Sequence, residues 1–140
     1  METRKKAGPA GKTILIVDDE FGVLEVLGFI LSDAGFQVVS ALNGQEALAR
    51  LEENRPDLAI VDFMMPILDG NEVIKAIRSD NRLRDIPIIL VSGLPEKTIR
   101  ERCGGYTSFL RKPYKTEQLM EEISKLLDRS TSNSFPKIVR

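Results

Sequence analysis

Five polar side chains stand where apolar runs stop. Asp18 and Asp19 follow a run that begins at Thr13, and Asp62 follows Leu58, Ala59, Ile60 and Val61. Ser92 follows Ile88, Ile89, Leu90 and Val91, and Lys112 comes after the run over 107–110. Three carboxylates brought together repel one another and resist joint ionisation without a counter-charge. The chain has no histidine, so a cation at such a place would be a hard ion held by oxygen. A few carboxylates with room for water and a phosphate suit Mg2+ better than Ca2+. Lysine adds a mobile positive charge and serine a hydroxyl donor. Together these are the parts of a phosphoryl acceptor: a carboxylate nucleophile, with a cation and a lysine neutralising the transferring oxygens. Singly they mean little. An Asp pair or a Ser after a strand is commonly a helix cap, and a Lys beside a Pro is commonly just exposed. Standing at successive strand ends, in the order the chemistry requires, they outweigh that reading.

Whether they meet depends on the elements that carry them. The run into Asp62 contains no polar residue and reads as a strand buried on both faces, which Pro66 prevents from continuing. The β-branched run over 13–17 reads as a second central strand, with further strands over 37–40, 88–91 and 107–110. Between them lie helical patterns. Val23, Leu24, Leu27, Ile30 and Leu31 line one face of a helix over 20–34 that Gly35 stops. Asn43 with Glu46 and Asp69 with Glu72 resemble capping boxes for helices over 44–53 and 70–79, the latter turning Val73, Ile74 and Ile77 inward. A short helix over 95–103 ends at Gly104 and Gly105. Thr116 caps a last helix over 116–128, with Leu119, Ile123, Leu126 and Leu127 as its buried stripe. Five strand–helix units predict an α/β doubly wound parallel sheet with helices on both faces and strand order 2-1-3-4-5. All strand C-termini then share one edge. The switch point falls between strands 1 and 3, where Asp18, Asp19 and Asp62 converge.

The chain's 140 residues favour one domain, over 13–128, with a basic arm over 1–12, a tail or linker over 129–140, and no room for a DNA-binding or enzymatic output domain. Twenty basic and 21 acidic residues give a net charge of -1, which draws the chain neither to nucleic acid nor to an anionic membrane. No apolar run is long enough to span a bilayer, and there is no signal-peptide core. The single cysteine, Cys103, cannot form an internal disulfide, which fits a cytoplasmic protein. The arm holds a decoy: Gly11-Lys12-Thr13 suggests a phosphate loop. The glycine such a loop needs five positions earlier is Lys6, and the segment precedes a strand instead of following one.

Asp18-Asp19, Asp62 with Pro66 and Asp69-Gly70, Ser92-Gly93 and Lys112-Pro113 together resemble the receiver domain of bacterial two-component response regulators, including single-domain receivers of the chemotaxis type. The likeness covers about residues 12–128. It implies a flavodoxin-like (βα)5 fold and a signalling phosphoacceptor, not a turnover enzyme, charged with Mg2+ from the phosphohistidine of a histidine kinase or phosphotransfer domain. By position, the resemblance implies Asp62 as the phosphorylation site. It implies Asp19 and Asp62 as direct Mg2+ ligands, Asp18 largely through water, and the Met64 backbone carbonyl as a further ligand. Ser92 takes the hydroxyl position, Lys112 the lysine position and Phe109 that of the switch aromatic, and the bond before Pro113 is implied to be cis. Kinase choice in that family rests largely on the first helix, here around residues 22–28.

Some positions depart from the commonest pattern. Ser92 stands where Thr is frequent, Phe109 has no hydroxyl, and Tyr106 replaces a usually small residue. The stretch from 92 to 112 is shorter than in many receivers, so its helix must be short or distorted. The expected switch face comprises helix 95–103, strand 107–110 and helix 116–128, with Phe109 rotating inward as Ser92 moves. Tyr106 is expected to add exposed aromatic surface, favouring a downstream protein partner or a receiver dimer over nucleic acid. Other readings fit less well. A haloacid-dehalogenase-type phosphatase needs a second Asp where Met64 stands, a flavodoxin's phosphate would be repelled by the carboxylates, and a pure interaction module would lack part of the acidic set.

Overall fold

The computed structural model describes residues 11–132, with side chains through 128; the expected arm and tail lie mostly outside them. In chain order the elements are β1 (Thr13–Val17), α1 (Phe21–Asp33), β2 (Gln37–Ala41), α2 (Gly44–Glu53), β3 (Leu58–Asp62), α3 (Gly70–Ser79), β4 (Ile88–Ser92), α4 (Glu96–Arg102), β5 (Ser108–Arg111) and α5 (Thr116–Ser132). The strands form one parallel sheet in the order β2-β1-β3-β4-β5, as the alternation of elements predicts.

The uninterrupted apolar runs are explained by the two faces of that sheet. Along β1, Ile14 and Ile16 join one core with Leu24, Leu27 and Leu31 of α1 and Leu119, Ile123, Leu126 and Leu127 of α5. Leu15 and Val17 join the other, with residues of α2, α3 and Ile99 of α4. Successive strand residues point to opposite faces, so a strand covered on both sides has no polar position to spare. Every residue of β3 and β4 is buried, whereas the edge strands β2 and β5 are half-exposed.

The starts of α2 and α3 follow their side chains. Asn43 accepts from the Glu46 N–H at 2.8 Å, and the Glu46 carboxylate accepts in return from Leu42 N at 2.7 Å, one residue before the cap. Asp69 and Glu72 close a reciprocal capping box at the head of α3. Thr116 is not a cap. The Lys115 carbonyl already accepts from Gln118 N and Leu119 N, and Gln118 Oε1 accepts from Lys115 N, so Lys115 holds the cap position. α5 runs to Ser132, four residues past its expected end, because no Gly or Pro interrupts it. β5 is displaced one residue toward the C-terminus, and α4 is indeed short. In α1, Val23 and Ile30 are only half-buried, and Phe21, Val26 and Phe29 are exposed.

Arg78, near the end of α3, ties together the loops that lead into β4 and β5. Its Nε donates to Gly105 O at 2.8 Å, Nη1 to Arg84 O at 2.8 Å and Ile86 O at 2.7 Å, and Nη2 to Thr107 Oγ1 at 3.3 Å. Thr107 Oγ1 also accepts from Ile88 N, at the first residue of β4. One planar guanidinium therefore sets the entry of two strands, a task an ammonium cannot copy. We expect Arg78→Ala to lower stability by about 2 kcal/mol, seen as a lower urea midpoint with unchanged slope, and Arg78→Lys to recover little of it. A midpoint unchanged in both variants would contradict this role.

Candidate functional site

Four strand ends and one loop build the site. β1 continues past Val17 through a bond from Asp18 N to Ala41 O, and β3 continues past Asp62 through one from Phe63 N to Val91 O. The β1–β3 register, with Val17 opposite Val61, sets Asp18 and Asp62 beside each other, each 6% exposed. Asp19 is exposed at the rim. The three carboxylates each offer an oxygen within 4.8 Å of the others. Lys112 reaches across from β5: its Nζ lies 3.1 Å from Asp62 Oδ1 and 3.4 Å from Asp18 Oδ2. The Lys112–Pro113 bond is cis, and Lys112 N donates to Ser92 O at 2.8 Å. Asp18 Oδ1 accepts from Glu20 N at 2.9 Å, which orients that carboxylate as α1 begins.

Burial and repulsion dominate the electrostatics. The Asp62 carboxyl is pushed up to about 6, first by burial and next by the charge of Asp18, with Lys112 offsetting part of this and Asp19 adding a little. Burial works against the Lys112 ammonium, but Asp62 and Asp18 outweigh it and its pKa rises. Three carboxylates and one ammonium leave a charge of about -2 at a buried edge, which a divalent cation would cancel. The donors are all oxygen, so the set fits Mg2+ and does not fit a softer metal.

The loop after Asp62 is shaped by close approach. A Cβ on Gly70 would stand 2.7 Å from Asp62 O and 2.8 Å from Phe63 Cα; one on Gly44 would meet Leu68 Cβ at 2.6 Å. Only glycine lets α3 and α2 come so near. Between these contacts Leu68 N donates to Pro66 O at 2.7 Å across Ile67, whose φ is 67° and whose side chain is 86% exposed. A β-branched residue in that region is strained by roughly 1–3 kcal/mol. Met64, two residues beyond Asp62, has an exposed side chain.

Ser92 is 1% exposed and its Oγ accepts from Leu94 N at 3.1 Å, leaving its hydroxyl proton to donate elsewhere. Phe109 is half-buried against the core formed with α2, α3 and α4. Tyr106 is not the exposed aromatic expected from sequence. Its ring packs on the same core, 6.3 Å from that of Phe109 and tilted by 52°, and its hydroxyl donates to Glu96 Oε2 at 3.2 Å.

A profile for the response regulator receiver domain matches residues 14–124. The chain belongs to that family. It is 34% identical over 122 residues to the phosphate regulon transcriptional regulatory protein PhoB of Pseudomonas aeruginosa, an alignment covering 86% of this chain and 53% of that protein. The chain spans about half the length of the curated relatives it matches. Among solved structures it is similar to the receiver domain of the sensor histidine kinase PA1611 of Pseudomonas aeruginosa PAO1, which has a magnesium ion in its active-site cleft. That match has 29% identity and a TM-score of 0.79, covering 85% of this chain and 99% of the other. It is also similar to the response regulator TrrA of Thermotoga maritima in complex with Mg(2+)-BeF, with 32% identity and a TM-score of 0.74, covering 82% and 98%.

In this receiver the sequence-predicted Asp18, Asp19, Asp62 and Lys112 meet at one edge, with Ser92 at the end of the adjoining strand. Sequence reasoning missed Arg111, whose Nε donates to Gly93 O at 3.1 Å, and the Tyr106–Glu96 bond. The first had one faint signal, its place next to Lys112; the second had none.

The raised pKa of Asp62 sets a pH dependence. Its folded value lies above the ordinary 3.8, so the group's contribution to stability is fully present below 3.8 and is lost as pH rises through about 6. Without metal, ionised Asp62 therefore opposes the receiver fold at neutral pH. We expect Asp62→Asn to raise the melting temperature in EDTA near pH 7.5, with the gain shrinking toward pH 4. A melting temperature at pH 7.5 equal to or below that of the wild type would contradict the repulsion.

Proposed function

We propose that this receiver takes a phosphoryl group onto Asp62 from the phosphohistidine of a histidine kinase or phosphotransfer domain. The observation that carries the reading is the convergence of Asp62 with Lys112 Nζ at 3.1 Å and with the oxygens of Asp18 and Asp19. An ionised Asp62 oxygen attacks phosphorus as the bond from phosphorus to the imidazole nitrogen breaks. The electron pair leaves with the imidazole, and Asp62 becomes an acyl phosphate. Lys112 neutralises charge on the transferring oxygens, and Ser92 donates its hydroxyl proton to one of them. Asp19 and Asp62 would hold Mg2+ directly, Asp18 largely through water, and the Met64 carbonyl would add a ligand. Bound there, Mg2+ would supply the remaining charge neutralisation. The magnesium in the PA1611 receiver and the Mg(2+)-BeF complex of TrrA support this choice.

Phe109 is the switch aromatic in this reading, and the face of α4, β5 and α5 is where a downstream protein or a second receiver docks. We assign the domain to the cytoplasm, where its lone cysteine stays reduced; no described helix is long and apolar enough to cross a membrane.

Acetyl phosphate with Mg2+ should give the wild type a hydroxylamine-sensitive adduct that Asp62→Asn lacks; equal labelling of the variant would move the nucleophile elsewhere. Mg2+ at roughly ten times its Kd should stabilise the phosphate-free protein by about 1.4 kcal/mol. Asp19→Ala should lose most of that gain in thermal melts, and a wild type whose melt ignores Mg2+ would count against the metal assignment.

A further inference from the structure

The segment between β4 and α4 is held from the β5 side by two side chains. Arg111 pairs with Ser92 in the register of β4 and β5, and its Nε donates to the carbonyl of Gly93, the residue after Ser92. Tyr106, in the loop before β5, donates to Glu96 in the first turn of α4, and Glu96 also pairs with Arg100 at 3.6 Å. Between these two ties the segment is loosely built. Gly93 is exposed, with open space where a side chain would be. Pro95 caps α4 without a side-chain bond, and Ile99 is the one buried residue of that helix.

We propose that Arg111 and Tyr106 form a latch that holds residues 92–96 in the phosphate-free position, and that charging of Asp62 opens it. The proposal rests on the reading of Asp62 as acceptor. Ser92 Oγ now accepts from Leu94 N; to donate to an oxygen beyond Asp62, it must shift toward β3. Gly93 is bonded covalently to Ser92 and must follow, which draws its carbonyl away from Arg111 on the far side of β4. α4 starts three residues later and moves with the turn, straining the Tyr106–Glu96 bond. The tilted Tyr106–Phe109 pair then links the position of α4 to the switch aromatic. A ligand that binds only the shifted form has an apparent affinity reduced by the fraction of molecules already shifted. Each latch bond therefore weakens phosphoryl capture without touching Asp18, Asp19 or Asp62.

The test is a calorimetric titration of beryllium fluoride, an aspartyl-phosphate mimic, at saturating Mg2+. The proteins are the wild type, Arg111→Ala, Tyr106→Phe, the double variant and Asp62→Asn. Each single variant should bind the mimic roughly three- to tenfold more tightly, the fold-change of one modest hydrogen bond, with Mg2+ affinity unchanged and the double variant tightest. The sign is diagnostic for Arg111, because removing a positive charge near an anion site would by itself weaken binding. Weaker binding in Arg111→Ala makes that residue an anion ligand and overturns the latch, as does unchanged affinity in both single variants. Tightening in one variant alone overturns the two-bond form. If the wild type binds no mimic, or Asp62→Asn binds it equally well, the acceptor reading fails, and the latch with it.

Discussion

Repulsion between buried carboxylates at one edge of a parallel sheet is the constraint around which this molecule is built. A parallel sheet brings its C-terminal strand ends to one edge, and here the ends of β1 and β3 each carry an acid that is 6% exposed. The apolar floor beneath them weakens solvation, so burial does more than any neighbour to raise the Asp62 pKa. Lys112 is the built-in answer. It follows β5, two strands from β3, a separation of about 9–10 Å at ordinary strand spacing. Only a long side chain crosses that gap, and it crosses over the end of β4, where the residue is a small serine. The positions of Lys112 and Ser92 are thus parts of one geometric solution.

The same edge needs a loop that turns sharply after Asp62 without a side chain in the way. Gly70 brings α3 against the carbonyl of Asp62, and Gly44 lets Leu68 lie on the start of α2. Between these contacts Ile67 sits at positive φ with its side chain almost wholly in solvent. The strain belongs to the backbone path and not to the packing of Ile67, since little touches that side chain. Ile67 leaves an exposed apolar knob on the loop that follows Asp62, three residues from the exposed Met64.

Much of this architecture was legible in the sequence, because the relevant signals are local. Unbroken apolar runs mark strands covered on both faces, and their ends name the polar residues of the edge. Asp69 with Glu72 marked the head of α3 for a similar reason, since cap and partner are three residues apart. What escaped depends on contacts between distant residues. Arg78 meets Gly105 across 27 residues, and Arg111 meets Gly93 across 18. Both donate to backbone carbonyls, which carry no residue type for a motif to show. Tyr106 was misread because its environment depends on contacts that its residue type does not show. Its ring lies on the core, and its hydroxyl bonds Glu96, ten residues away. Thr116 was misread as a cap because Lys115, with no capping side chain of its own, is served by Gln118.

Burial also divides the domain into a fixed part and a movable one. β1 is almost wholly buried, and β3 entirely so. Displacing the acids they carry would mean breaking the sheet. β5 has four residues, none fully buried, and α4 buries Ile99 alone. Opening free energies within a protein range from near zero up to the global value, and elements with few buried contacts lie at the low end. A phosphoryl group on Asp62 would therefore leave the carboxylate frame in place and spend its new interactions on the α4–β5 side. That side is attached to the rest through the β4–β5 pairing, through Ile99 and Phe109 in the core, and through Arg78. Arg78 holds the loops at the opposite edge of the sheet and need not move. The motion is thus confined to the segment that begins at Ser92, where a side-chain hydroxyl of the site and the first turn of α4 are separated by only three residues.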